Sequence, residues 1–267
     1  MHGLIDGDII TYSCAFAAEG RDYLIVPVGQ KEAIFSRRYK ADINQLLEKE
    51  GLEEGVDVEV VKVAVPLGPG IAMNNVRNML DSIKTGAGCT SSQVYLTGKG
   101  NFREDVATIK PYKAKRPPKP YYYQLVRDYL EEAHDAEVIH GMEADDALAI
   151  AQNSDTIICT IDKDLDMVPG WHYNWQKACV YCVDEEEAEM NFLLQLVTGD
   201  NTDNIPGLYH ITGHKVNQEV RDDIRERGKV AVLSWYKDHL QELEEIGKLL
   251  WMKRTLDDNW TLERLND

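Results

Sequence analysis

Three short apolar runs, each ending at a residue that does not belong in a core, constrain this chain more than any other feature. Residues 2–5 run into Asp6, 93–97 into Gly98, and 156–161 into Asp162. Each run is partly β-branched and lacks the polar alternation of a half-exposed strand, so each predicts a strand buried on both faces. Strands of that kind belong to parallel sheets covered by helices, and the intervening sequence supplies helical patterns. Residues 74–84 gather Val76, Met79, Leu80 and Ile83 on one face, 121–133 gather Leu125, Val126, Tyr129 and Leu130, and 143–152 gather Ala144, Ala147, Leu148 and Ala151. The expected fold class is α/β, with a mainly parallel central sheet flanked by helices. Sites in open α/β sheets form beyond the carboxyl ends of the strands. Asp6 and Asp162 should therefore lie side by side.

The acids that follow come in clusters: Gly-Met-Glu-Ala-Asp-Asp at 141–146, Thr-Ile-Asp-Lys-Asp at 160–164 and Gly-Asp-Asn-Thr-Asp-Asn-Ile-Pro-Gly at 199–207. Glu143, Asp145, Asp146, Asp162, Asp164, Asp200 and Asp203 offer carboxylates with no His or Cys among them. Like charges beside core segments are costly unless a cation holds them, and an all-oxygen donor set suits Mg2+ or Mn2+ rather than zinc. Two ions about 4 Å apart are the usual arrangement for phosphoryl chemistry. Helix capping and the macrodipole would account for one or two acids near 143. They do not account for three there and two more after a neighbouring strand.

The formal net charge of −17 speaks against a nucleic-acid partner until its distribution is considered. Lys99, Arg103, Lys110, Lys113, Lys115, Arg116 and Lys119 crowd one segment against only Glu104 and Asp105. That segment reads as a phosphate-contacting surface. Arg-Pro-Pro-Lys-Pro at 116–120 makes part of it stiff and extended. The five cysteines form no disulfide framework, and Cys179-x-x-Cys182, without a second pair, reads as two thiols on a strand. Segment 23–28 fits a hairpin strand. The charged C-terminal part predicts helices over 216–226, 230–240 and 243–253, with 249–252 packed back on the body. No run is apolar enough to span a membrane, and a cytoplasmic location is expected.

Taken in order, Leu-Ile-Asp-Gly-Asp (4–8), Pro-Tyr-Lys-Ala-Lys-Arg (111–116), Met-Glu-Ala-Asp-Asp (142–146), Ile-Asp-Lys-Asp-Leu (161–165) and the 199–207 motif resemble those of phage 5′–3′ exonucleases in the flap endonuclease superfamily. The 5′-nuclease domain of bacterial DNA polymerase I belongs to the same superfamily. The resemblance implies a nuclease acting on DNA 5′ ends or 5′ flaps, with RNA–DNA hybrids as a further substrate class, in the host cytoplasm if phage-encoded. It assigns Asp6, Glu143, Asp145 and Asp146 to a first metal and Asp162, Asp164, Asp200 and Asp203 to a second. It makes Lys113 and Arg116 the catalytic cations on the scissile phosphate. Lys99, Arg103, Lys110, Tyr112, Lys115 and Lys119 are then DNA contacts, and a short arch falls near 99–135. Gly207, Gly213 and Lys215 would belong to a helix-hairpin-helix element gripping duplex backbone, in relatives with a potassium ion. The implied division is a core over 1–198 and a helical subdomain over 199–267.

Two departures stand out. The expected Gly-Ile-Gly reads His210-Ile211-Thr212-Gly213, which removes a glycine from the potassium element. The strand before the basic segment commonly ends in a metal-binding Asp, and here it ends in Gly98, so a carboxylate introduced there is expected to restore a first-site ligand. The competing readings are a PIN-domain ribonuclease, which shares the acidic-sheet chemistry, and a DNA-end or junction binder weakened in catalysis by the loss at Gly98.

Overall fold

The computed structural model describes residues 1–114 and 116–266, so Lys115 lies outside the described residues. Along the chain the strands are β1 (His2–Asp6), β2 (Glu19–Pro27), β3 (Phe35–Arg37), β4 (Val58–Pro66), β5 (Ser91–Asn101), β6 (Glu137–Gly141), β7 (Thr156–Cys159), β8 (Gly170–Asn174) and β9 (Cys179–Val183). One sheet runs β6-β5-β1-β7-β8-β9, parallel except for β9, which pairs antiparallel with β8. The other is β3-β2-β4, antiparallel throughout.

The apolar runs occupy the centre of the large sheet. β1 lies between β5 and β7, with Ile5 opposite Val94 on one side and Cys159 on the other. Leu4, Ile5, Ile157, Ile158 and Cys159 are buried, which is why β1 and β7 show no polar alternation, whereas β5 alternates buried Val94 and Leu96 with half-buried Gln93, Tyr95 and Thr97 and so departs from the expectation of burial on both faces. Directly after Asp6 the chain turns into the helix Gly7–Ala17. A side chain at position 7 would begin 2.5 Å from the carbonyl oxygen of Tyr95, so the turn needs glycine. Cys179 and Cys182 lie exposed on the edge strand β9.

The chain forms two compact units, one of residues 1–10, 78–118 and 127–267 and the other of residues 11–77 and 119–126. The C-terminal helices, expected as a subdomain from residue 199 that packs back on the body, lie in the first unit and share a core with the large sheet. The helices Glu185–Thr198, Gln218–Arg227, Lys229–Trp235 and Leu240–Leu250 pack around Phe192, Leu196, Tyr236, Ile246 and Trp260. The Tyr236 hydroxyl donates to the Leu196 carbonyl at 2.8 Å. A side chain at Gly247 would begin 2.2 Å from the Trp260 ring, so that helix meets its neighbour at van der Waals range only through glycine.

The second unit holds the antiparallel sheet, and Ile25, Ile43, Leu47 and Val58 are buried between it and the helix Lys40–Glu50. Segment 23–28 falls largely in β2, as the hairpin reading expects. The helix expected over 230–240 ends at Trp235. Among the described residues no helix is long and apolar enough to cross a membrane.

Candidate active site

A cleft of about 700 Å3 is lined by Tyr112, Lys113, Arg116, Glu143, Asp145, Asp162, Asp164, Asp200 and Asp203. Three pieces of backbone bring these residues together. The first is the carboxyl end of the parallel sheet. Asp6, the last residue of β1, is 2% exposed, and its Oδ2 accepts from Thr160 Oγ1 at 2.8 Å while its Oδ1 accepts from Ile9 N at 3.1 Å. The same Thr160 hydroxyl accepts from Asp162 N at 3.0 Å, so one side chain ties the two strand-end acids. Asp162 then caps the turn Lys163–Met167 by accepting from Asp164 N at 2.9 Å.

The second piece is the start of the helix Ala144–Ala151. Glu143 is its N-cap and forms a capping box with Asp146, leaving Asp145 on the first turn. The third piece is the loop 199–207, which closes on itself through Asp200 N to Ile205 O at 3.1 Å and Ile205 N to Asp200 O at 2.7 Å. A side chain at Gly199 would begin 2.5 Å from Gly207 N, and one at Gly207 2.5 Å from Thr198 O. Both glycines are thus required for the loop to close and present Asp200 and Asp203.

This loop also carries the basic segment. Lys113 N donates to Asp203 O at 2.9 Å, and Asn204 Nδ2 donates to Pro111 O at 2.9 Å. Further back, Glu245 accepts from Thr108 N and Ile109 N, both at 2.8 Å. So held, the Lys113 ammonium rests on Glu143 and lies 3.4 Å from Asp203, while Arg116 Nη2 lies 3.1 Å from Asp203. The Tyr112 hydroxyl is 3.0 Å from Glu143 and 2.8 Å from Asp203. Burial and these two carboxylates raise its pKa, so it stays a donor.

The acids repel one another. Burial and Asp8 push Asp6 up to about 7, and burial with Asp162 and Asp200 pushes Asp164 up to about 7. Asp145 is raised well above the carboxylate range by burial and by Asp6, Glu143 and Asp162. Asp162 is raised by burial, against the pull of the Asp164 N–H. Such a set of oxygen donors, pressed together and under-compensated, fits a hard divalent cation. Among the described residues no three Asp, Glu, His or Cys side chains converge as a ready-made cage. Lys113 already sits on Glu143 and Asp203, so an entering ion competes with it.

Two solved structures overlap most of the chain. The phage T5 D15 protein co-crystallised with metal ions matches with a TM-score of 0.54 and 14% identity over 93% of this chain and 88% of that one. The T5 5′-exonuclease with bound zinc matches with a TM-score of 0.50 and 14% identity over 94% of this chain and 86% of that one. The chain shares the fold of the T5 5′-exonuclease. No protein-family model and no curated sequence matches it.

Within this 5′-exonuclease fold, several expectations need correction. Arg103 was expected on DNA, but it is 1% exposed and grips Asp146. Asp146, expected on the first metal, is wholly buried, and both its oxygens are taken by protein donors. Gly207 is buried against Thr198, so its close approach is internal rather than to a duplex. Gly98 does not point at the acids: a side chain there would begin 2.6 Å from Ile139 O and 2.5 Å from His140 Nδ1, on the β6 side. Asp8, two residues beyond Asp6, is held by Arg127 at 2.9 Å and by Thr97 N.

Lys99, Lys119 and Lys215 are exposed and Lys110 half-buried. Lys119 lies over the Tyr123 ring at 4.2 Å. Gly213, at φ +80°, ends the helix Leu208–Thr212. Thr160 and Asn204 lie within the acidic motifs and Glu245 outside them, but no local pattern shows that Thr160 ties two strand ends or that Asn204 and Glu245 hold the basic segment.

Proposed function

We propose that this chain is a metal-dependent nuclease that hydrolyses DNA phosphodiesters at 5′ ends or 5′ flaps. The observation that carries the reading is the pairing of two opposed charge sets: Asp145, Asp162 and Asp164 lining one cleft with Asp6 buried close to them, each with its pKa raised, and Lys113 with Arg116 anchored in the same cleft. Magnesium or manganese, two ions on this reading, would be held by Asp6, Glu143, Asp145, Asp162, Asp164, Asp200 and Asp203 and would supply water activation and neutralisation of phosphoryl charge.

The chain's own residues do the rest. Lys113 and Arg116 exchange their carboxylate partners for the scissile phosphate, Arg116 as a fork and Lys113 as a mobile point charge. Tyr112 holds Glu143 and Asp203 at a fixed separation while the cations move. Thr160 keeps Asp6 and Asp162 in register. Cleavage of 5′-labelled and 3′-labelled duplexes, each with magnesium and with chelator, tests the reading. Magnesium-dependent release of 5′ nucleotides or flaps supports it. Cleavage of RNA alone would favour the PIN-domain ribonuclease. Binding without cleavage would favour the weakened junction binder, a reading that the engagement of Asp146 by Arg103 keeps open.

A further inference from the structure

Arg103 stands on the short helix Phe102–Val106, directly after β5, and its guanidinium is buried. Nη1 donates to Asp146 Oδ2 at 2.5 Å and Nη2 to Oδ1 at 3.0 Å, a two-pronged pair. Nε donates to the Leu249 carbonyl at 2.8 Å and Nη2 also to the Trp251 carbonyl at 2.8 Å, at the end of the helix Leu240–Leu250. Asp146 is filled in turn: Oδ1 also accepts from Lys253 N at 3.2 Å and Oδ2 from Glu143 N at 3.2 Å. That last bond is half of the capping box that begins the helix Ala144–Ala151. Arg103 therefore reaches Glu143 and Asp145 through a single intermediary. Its own bonds go to Asp146, Leu249 and Trp251, and at 1% exposure it lies inside rather than on a surface that DNA could meet.

We propose that Arg103 is a positioning residue: by clamping Asp146 it fixes the first turn of the helix Ala144–Ala151, and with it the direction in which the Glu143 and Asp145 carboxylates face the cleft. The proposal rests on the metal-nuclease reading for its consequence but not for its geometry. It assigns Asp146 to the clamp rather than to the ion. The opposite assignment, with Asp146 a ligand and Arg103 merely its competitor, predicts the opposite sign. Loosening Arg103 would then free a carboxylate and tighten metal binding.

The test is a Mn2+ titration of the free protein, followed by electron paramagnetic resonance without DNA, for the wild type, R103M and R103K. Losing an outer partner of a metal site typically weakens binding 10- to 100-fold, so R103M should bind Mn2+ about 10-fold more weakly. R103K keeps the charge but not the fork and should fall between the two. It also carries the test if R103M fails to fold. Equal or tighter binding in a folded variant overturns the proposal. Amide hydrogen exchange over residues 143–147 in metal-free protein should speed up in R103K, and unchanged exchange there also overturns it. If the wild type binds no Mn2+, the nuclease reading falls, and the exchange measurement still decides whether Arg103 positions this turn.

Discussion

Asp145 and Asp146 are neighbours on the first turn of one helix and live in opposite worlds. Asp145 turns toward Asp6, Glu143 and Asp162, and burial among like charges raises its pKa well above the usual range. Asp146 turns the other way and receives a guanidinium fork and two backbone N–H groups. Asp146 is fully buried and Asp145 half-buried at the cleft wall, but burial alone does not decide their roles. The count of donors does: a carboxylate with four protein donors is part of the scaffold, whereas one facing three other acids still requires a cation.

The sharpest way to break this comparison is to neutralise each acid in turn. Asp145→Asn should lower the cleavage rate by on the order of 10²–10³-fold, the scale of losing one preorganised charge-stabilising group. It should leave the metal-free protein at least as stable, since repulsion is relieved. Asp146→Asn should act chiefly on stability, costing about 3–5 kcal/mol because Arg103 is left buried beside a neutral amide, with a smaller loss of rate through the loosened first turn. Urea unfolding alongside single-turnover cleavage reads both. Similar profiles for the two variants would erase the distinction.

Lys113 tests the open side from its cationic half. Lys113→Ala should slow single-turnover cleavage by roughly 100-fold, as for loss of one transition-state donor. DNA affinity should change much less, if the ammonium acts on the developing charge. A loss confined to affinity would reduce Lys113 to a generic phosphate contact.

A third test concerns Gly98, whose position facing β6 places it on neither side of the comparison. Gly98→Ala should cost about 1–3 kcal/mol through crowding of Ile139 and His140. A carboxylate at 98 should leave the half-saturating magnesium concentration no lower than in the wild type. A tighter metal response in a well-folded Gly98→Asp variant would show that this strand end does reach the ions.

The pH response of metal-free protein sharpens the electrostatic half. Asp6 and Asp164 titrate at about 7 when folded, against an ordinary value near 4 when unfolded. Between those values the folded state holds protons that the unfolded state has lost, so stability falls as pH rises. In chelator, these two acids should raise the melting temperature as pH is lowered from about 8 toward 5, and Asp164→Asn should flatten that slope. A steeper slope in the variant would count against the crowded-acid picture. The smallest effect is expected at Lys119, exposed and stacked on Tyr123. Lys119→Ala should reduce the salt dependence of DNA binding by about one phosphate contact and leave the cleavage rate unchanged.

The sheet and its acidic edge were legible because they rest on local patterns. Uninterrupted apolar runs at 2–5 and 156–161 require burial on both faces, and β1 and β7 lie at the centre of the sheet. What stayed hidden depended on partners far away in sequence. Arg103 sits in a basic run and looks like a phosphate contact until Asp146, Leu249 and Trp251 are seen around it. The β2–β3–β4 unit was legible only as a hairpin strand at 23–28, since its strands are half-exposed and their core is small. Gly98 misled because register decides which way a strand residue faces, and a shift in β5–β6 pairing between Thr97 and Asn101 places it against β6.

By itself, then, the amino-acid order determined the strand centres, the helix faces and the inventory of hard oxygen donors, all of which follow from periodicity and composition within a few residues. Only the tertiary structure decided which acids are spent on the scaffold and which face the cleft. Charge is local in the chain, but compensation of charge is not: whether a carboxylate needs a cation depends on donors brought to it from residues more than forty or a hundred positions away, as Arg103 and Lys253 are brought to Asp146.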